Sequence, residues 1–289
     1  MQFGSIEVCR VADMESVQLP TLRGFPTLTQ EALRGYAARL GPGMIDPESL
    51  DLLISFHTYV VRTGGKVILI DTCIGNDKSR PKRADWHHRQ GDFLERLRRV
   101  GVAPEDVDVV MCTHLHADHV GWNTRLVNGR WVPTFPNARY LMAETEYQHL
   151  REQLRQHGPD VFHGCYADSV LPVVESGQAE MVSTSHRVGA GIYTEAVPGH
   201  TPGSVLIHLE DGGHGICTGD LIHHPFQLFC PDMGTRYCAD PAQASAQRVA
   251  FCERYADTRA RLLTAHFPAP STGRIVRDGK AFSFVFEAD

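Results

Sequence analysis

What the chain lacks narrows its class first. Its eight cysteines form no C-x-x-C pair and no regular framework, which argues against a disulfide scaffold or a Cys-based zinc module. No apolar run approaches the roughly 20 residues that a membrane-spanning helix needs. The N-terminus, MQFGSIEVCRVAD, has no basic start followed by an apolar stretch, so no secretory signal is expected. Blocks of Lys and Arg are missing too. Short runs such as Arg96, Arg98 and Arg99 read as the solvated face of a helix, and the net charge is −6. Nucleic-acid phosphates call for clustered cations, so neither a nucleic acid nor a membrane is an expected partner. There is no G-x-S-x-G elbow, no phosphate-cradling glycine loop, no repeat and no evident linker. Thiols inside apolar runs, as at Cys73, Cys112 and Cys217, behave as small hydrophobes, and a reducing, cytoplasmic setting is expected.

What is present suits a globular protein: 289 residues, 42% of them apolar and 21% charged. One domain over residues 1–289 is expected. Apolar, β-branched runs alternate with a few helical patterns. LLISFHTYVVRT and KVILID flank Gly64-Gly65, and RLV and RWV flank Asn128-Gly129, both hairpin signals. GDFLERLRRVG, ETEYQHLREQLRQHG and PAQASAQRVAFCERYA carry helical spacing, the last with Pro241 at its start. Strands arriving in two groups, each followed by helices, predict an α/β protein of two packed sheets with helices outside. Segments 13–48 and 158–178, rich in Pro and Gly, are expected to be loops over a site.

The chemistry concentrates in CTHLHADHVGW, residues 112–122. His114, His116, Asp118 and His119 crowd six positions directly after a strand-like run. Neutral imidazole and carboxylate oxygen are the usual ligands of zinc. Four residues cannot fill two coordination shells, so partners must come from elsewhere. His200 in VPGHTPGS, Asp220 in CTGDLIHH and His266 in LTAHFPAP each follow an apolar run, where strand ends deliver side chains to a common rim. His87, His88, His149, His157, His186, His208 and His214 read as structural or surface residues.

In order and context this set resembles the metallo-β-lactamase superfamily: H-x-H-x-D-H, then a distant His, an Asp and a last His. The resemblance implies a four-layer αββα sandwich and two divalent metal ions, most often zinc, though manganese, iron and cobalt accept such ligands. It implies that His114, His116 and His200 hold one ion, that Asp118, His119 and His266 hold the other, and that Asp220 bridges them. Asp71, in VILIDTCIGND, matches a strand-end acid that orients a ligand imidazole. The implied reaction is hydrolysis by a water that the ions acidify, with Asp118, Asp220 and His223 as the groups expected to act in it. The short stretch after His266 leaves no room for the helical domain of glyoxalase-II-type thioesterases. Asp220 disfavours β-lactam hydrolysis, and His116 disfavours the redox branch.

The text THLHADHVGWNTRLVNGRWVPTFPNARYL and GDLIHHPFQ is similar to the lactonase and methyl-parathion-hydrolase-like branch. That branch implies a small-molecule lactone or ester as substrate and, in some members, a homodimer. Its quorum-quenching lactonases have Tyr three positions after the bridging Asp, where this chain has His223. Phe25, Trp122, Phe162, Tyr166 and Phe226 lie in segments that can line an apolar pocket. Alternatives are a phosphotriesterase, a nuclease or phosphodiesterase, and a metal-binding protein without catalysis.

Overall fold

In a computed structural model describing residues 1–189 and 191–287, the first half of the chain lays down β1 (Gln2–Phe3), β2 (Ile6–Leu19), β3 (Leu52–Thr63), β4 (Lys66–Ile70) and β5 (Val109–Met111). A separate hairpin, β6 (Thr124–Val127) and β7 (Arg130–Pro133), comes next, followed by β8 (Arg139–Ala143) and β9 (Ala179–Val182). The second half adds β10 (Arg187–Gly189), β11 (Ile192–Ala196), β12 (Val205–Glu210), β13 (His214–Cys217), β14 (Arg261–Leu263), β15 (Thr272–Asp278) and β16 (Ala281–Glu287). One sheet runs β1-β2-β3-β4-β5-β8-β9 and the other β10 to β16 in sequence order. Both are mixed: β4, β5, β8 and β9 pair in parallel, as do β13 and β14.

Side-chain alternation explains why the sheets stack. Tyr59, Val61, Ile68, Ile70, Val109 and Met111 of the first sheet share one core with Val205, Ile207, Leu209, Cys217 and Leu263 of the second. The residues between them point outward. Val60, Leu69 and Val110 pack with Phe93, Leu97 and Leu150. These come from helices that, with their neighbours, complete the chain: α1 (Thr21–Gly24), α2 (Gln30–Leu40), α3 (Phe93–Arg99), α4 (Ala117–Val120), α5 (Glu144–His157), α6 (Leu171–Glu175) and α7 (Pro241–Tyr255). On the far side Leu206, Ile216 and Leu262 pack with Phe251, Cys252 and Tyr255 of α7. Strands buried on both faces need near-continuous apolar runs, and those runs made them legible. The result is the expected helix–sheet–sheet–helix layering.

Local chemistry fixes the connections. Gly64 and Gly65 both adopt positive φ, 55° and 74°, as a two-residue hairpin turn of the right twist requires. Asp240 caps α7 by accepting from the Gln243 N–H at 2.9 Å, and Pro241 opens the helix where its missing N–H costs nothing. All eight cysteines are free thiols. Among the described residues no helix is long and apolar enough to cross a membrane.

The expectation of loops over 13–48 is corrected in part. Residues to Leu19 continue β2, and Gln30–Leu40 form a helix capped by Thr29. The β2 pairing slips twice, between Ala12 and Met14 and between Met14 and Val17, which breaks the strand's alternation. Segment 158–178 also contains structure, a π-helical turn at Tyr166–Val170 and α6. It is clamped from below. Arg80 donates to both oxygens of Asp168, at 2.6 and 2.8 Å, with both side chains largely buried. The buried Lys78 ammonium donates to the Asp168 carbonyl and the Thr124 hydroxyl and sits over the Trp131 ring. Burial pushes the Lys78 pKa down to about 7, with Asp168 opposing.

Removing one partner of a buried ion pair strands the other. Asp168→Ala is therefore expected to lower stability by about 3–5 kcal/mol, read as a drop in the denaturant midpoint. An unchanged midpoint would show that the clamp carries none of the segment's stability.

Candidate metal centre

The site forms where strand ends of the two sheets meet. Thr113 follows β5, and its backbone N–H and hydroxyl both donate to the Asp71 carboxylate at 2.8 Å. Asp71, just past β4, sits at φ 57°. The turn at 116–122 is tied to the chain after β4 by backbone bonds: Thr72 N–H to His119 O, Gly121 N–H to Cys73 O and Trp122 N–H to Thr72 O. Any side chain at Gly121 would meet the Ile74 carbonyl at 1.9 Å, so only glycine permits this docking. His200 lies between β11 and β12, Asp220 follows β13 and His266 follows β14.

All seven residues singled out in the sequence converge, and they fall into two groups. His114, His116, His200 and Asp220 each offer an atom within 4.8 Å of the others, and so do Asp118, His119 and His266. His200 Nε2 lies 3.2 Å from His114 Nε2 and 3.0 Å from His116 Nδ1. Asp220 faces both groups. Its Oδ2 is 3.2 Å from His200 Nε2, and its Oδ1 is 3.1 Å from His119 Nε2 and 2.9 Å from His266 Nε2. Asp118 Oδ2 is 3.7 Å from His266 Nε2.

The outward ring nitrogens are committed elsewhere. His119 Nδ1 donates to Asp71 Oδ2 at 2.8 Å, and His266 Nδ1 to the Ser55 carbonyl at 3.1 Å. Each bond fixes the tautomer that leaves Nε2 with a lone pair facing inward. Among the described residues His119 Nε2 and Asp220 Oδ1 are buried and have no hydrogen-bond partner, although they face each other. They lie 3.1 Å apart, a spacing that two ligands of one cation take up. This donor set fits divalent metal ions.

The electrostatics agree. Burial opposes charge on His119, yet Asp220, Asp71 and Asp118 together hold its pKa well above the ordinary value. Burial likewise opposes ionisation of Asp220, but the surrounding imidazoles, His119 and His266 foremost, hold its pKa far down. His116, by contrast, is pushed down to about 4 by burial. The buried acids demand positive charge at the centre of the cluster.

His223 also reaches the site. It is 5% exposed, its Nε2 is 3.3 Å from Asp220 Oδ2, and neither ring nitrogen has a hydrogen-bond partner among the described residues. His224 points away: its Nε2 donates to the Met44 carbonyl and its Nδ1 accepts from the Phe226 N–H. Over the cluster opens a cavity of about 440 Å³, floored by His116, Asp118, His200, Asp220, His223 and His266 and walled by Leu19, Ile54, Phe56, Trp86, Phe162 and Tyr237. Of the aromatics expected there only Phe162 lines it. Phe25 packs edge-on against Phe226, Trp122 stacks on Phe93, and Tyr166 stacks on Tyr147, because these rings fill the gap between helices and the first sheet.

Two supports were not anticipated. Glu146, buried in the first turn of α5, accepts from the Leu115 N–H at 3.1 Å and the Gly203 N–H at 3.0 Å. One carboxylate thus ties the loop of His114 and His116 to the loop of His200. Nothing in ETEYQ separates Glu146 from Glu144. The second is Cys238, whose thiol lies 3.6 Å from His200 Nδ1.

A sequence profile for the metallo-β-lactamase superfamily matches residues 57–266. The chain belongs to this superfamily. An N-acyl homoserine lactonase from a Bacillus species is 30% identical over 126 residues, 43% of this chain and 42% of that protein. This chain therefore matches less than half of that lactonase's length. Metallo-beta-lactamase domain-containing protein 1 of Xenopus laevis is 29% identical over 73% of this chain and 69% of its own. AidC, a dizinc quorum-quenching lactonase, superimposes with a TM-score of 0.82 at 21% identity, over 100% of this chain and 97% of its own. That likeness concerns the fold.

Partners of a ligand imidazole typically contribute about 10–100-fold to metal affinity. Asp71→Ala is expected to weaken zinc binding by about that factor, measured by competition with a chromophoric chelator; Glu146→Ala, which frees the two ligand loops without touching an imidazole, is expected to weaken it in the same direction. Glu146→Gln, which keeps one accepting oxygen, should lose less. Wild-type affinity in both alanine variants would show that the site does not depend on these carboxylates.

Proposed function

We propose that this protein is a dinuclear metal-dependent hydrolase that opens a lactone or cleaves a carboxylic ester. His114, His116 and His200 would hold one ion, Asp118, His119 and His266 the other, with Asp220 shared between them. The observation that carries the reading is the two-sidedness of Asp220, whose oxygens each face a different histidine group. Divalent ions of the zinc class held there would acidify a water near neutral pH and polarise the scissile carbonyl.

The chain's own residues supply the rest. Asp118 has the more open carboxylate, 18% exposed against 5% for Asp220, and stands at the cavity floor. From there it takes up the proton that the attacking water loses and returns it to the departing alkoxide oxygen. His223 has an uncommitted ring N–H to donate to the acyl or leaving oxygen, the role that stabilises developing charge. Phe56, Trp86 and Phe162 exclude water and receive an apolar acyl or alkyl group. The lactonase activity in the names of the Bacillus relative and AidC supports the choice of a lactone. Residues 1–289 act as one domain in this reading, and the substrate is a small molecule. A cytoplasmic location and a homodimer remain consistent with it.

The test is a panel of lactones, aryl esters and aryl organophosphates on metal-replete protein, with His116→Ala as blank. Lactone or ester turnover that disappears in His116→Ala is expected. Turnover of the organophosphate alone would replace the proposed substrate class by a phosphotriester. His223→Phe should lower kcat by about 10²-fold, as loss of one charge-stabilising donor does, while zinc content stays unchanged. A wild-type kcat would remove His223 from the reaction.

A further inference from the structure

A second group of metal-type ligands lies at the other end of the second sheet. The His200 loop enters β12 and Asp220 follows β13, so the site described above occupies the end where β12 begins. The opposite end is the β12–β13 hairpin, and there His208, Glu210 and His214 share one face. His208 and Glu210 are two apart on β12, and Glu210 pairs directly with His214 across the ladder. One ligand atom from each lies within 4.8 Å of the others.

The geometry is specific. His208 Nδ1 and His214 Nε2 are 2.9 Å apart, and His214 Nε2 is 3.3 Å from Glu210 Oε1. Two nitrogens bound at about 2.0–2.1 Å to a tetrahedral ion stand about 3.3 Å apart, so a shift of a few tenths of an ångström seats one. His208 is fully buried, and its Nε2 lies 3.1 Å from Glu195 Oε2 on β11. That Nε2 makes no hydrogen bond among the described residues, but the nearby carboxylate favours the proton on Nε2 and the lone pair on Nδ1, the arrangement that usually backs a metal-bound histidine. Glu195 is itself held by Arg254 at 2.7 Å, and the His208 ring is stacked on Tyr193 at 4.6 Å. His214 also borders an open cleft with Arg254, Tyr255 and Arg259, which gives an ion a way in.

We propose that His208 Nδ1, His214 Nε2 and the Glu210 carboxylate form a separate site for a divalent transition metal of the zinc class, with Glu195 as the residue that orients His208. The ion ties the β12–β13 hairpin, beneath the C-terminal end of α7, into one unit. It takes no part in hydrolysis.

The test is zinc uptake by chelator-stripped full-length protein against a chromophoric competitor, for wild type, Glu210→Gln and His214→Gln. The glutamine at 214 keeps an N–H to donate to His208, so it preserves a plain hydrogen bond while removing the ligand. Wild type is expected to take up one more equivalent of zinc than either variant. Added zinc should raise its unfolding midpoint more than theirs, and metal-replete variants should hydrolyse substrate at the wild-type rate. Equal zinc stoichiometry in wild type and both variants overturns the site and leaves a hydrogen-bonded histidine pair. Loss of the extra equivalent in the variants supports it, and because this readout is metal count, it stands whichever substrate class the other site proves to take.

Discussion

Asp71 and Asp220 are buried carboxylates, and Asp118 a partly buried one, gathered against a ring of imidazoles, and removing such charges from water costs several kcal/mol each unless opposite charge answers them. Much of the surrounding structure answers this one constraint. Asp71 is satisfied within the protein, by Thr113 and His119. Asp220 is not: its Oδ1 has no hydrogen-bond partner and its neighbours are imidazole nitrogens. A folded chain that leaves a buried carboxylate oxygen and a buried Nε2 unpaired at one point is built to receive positive charge there.

Holding such donors together requires rigid supports, and these come from both sheets. His114, His116, Asp118 and His119 hang from the first sheet, whereas His200, Asp220 and His266 hang from the second. Glu146 joins the two sides, since its carboxylate bonds the backbone of both loops. Ser55 does the same for His266, its backbone N–H donating to the His266 carbonyl while its own carbonyl accepts from the ring. The core shared by the inner faces of the sheets keeps these supports in register. Packing, loop anchoring and ligand geometry therefore depend on one another.

The same dependence explains what the sequence could tell. The convergence of the seven residues was legible because four of them crowd one turn and the other three each follow an apolar run. Layering was legible because strands buried on both faces leave unbroken apolar stretches. Glu146, Cys238 and the walls at Phe56 and Trp86 were not, since each matters only through what the fold brings beside it. The second half of β2 was hidden by its slipped register. His208 and His214 looked like ordinary histidines because their shared face exists only once β12 and β13 pair.

His223 shows how one side chain can redirect a shared framework. A tyrosine, which the resemblance to quorum-quenching lactonases leads one to expect at this position, presents a single hydroxyl on a long arm. Imidazole is shorter and presents two nitrogens, one donor and one acceptor when neutral. Held with its Nε2 3.3 Å from Asp220 Oδ2 and ringed by His200, Tyr237 and His266, it brings its donor close to the carboxylate that faces both histidine groups. His223 shares the cavity lining with Phe162 and Trp86, and there it offers two ring nitrogens that no described side chain occupies.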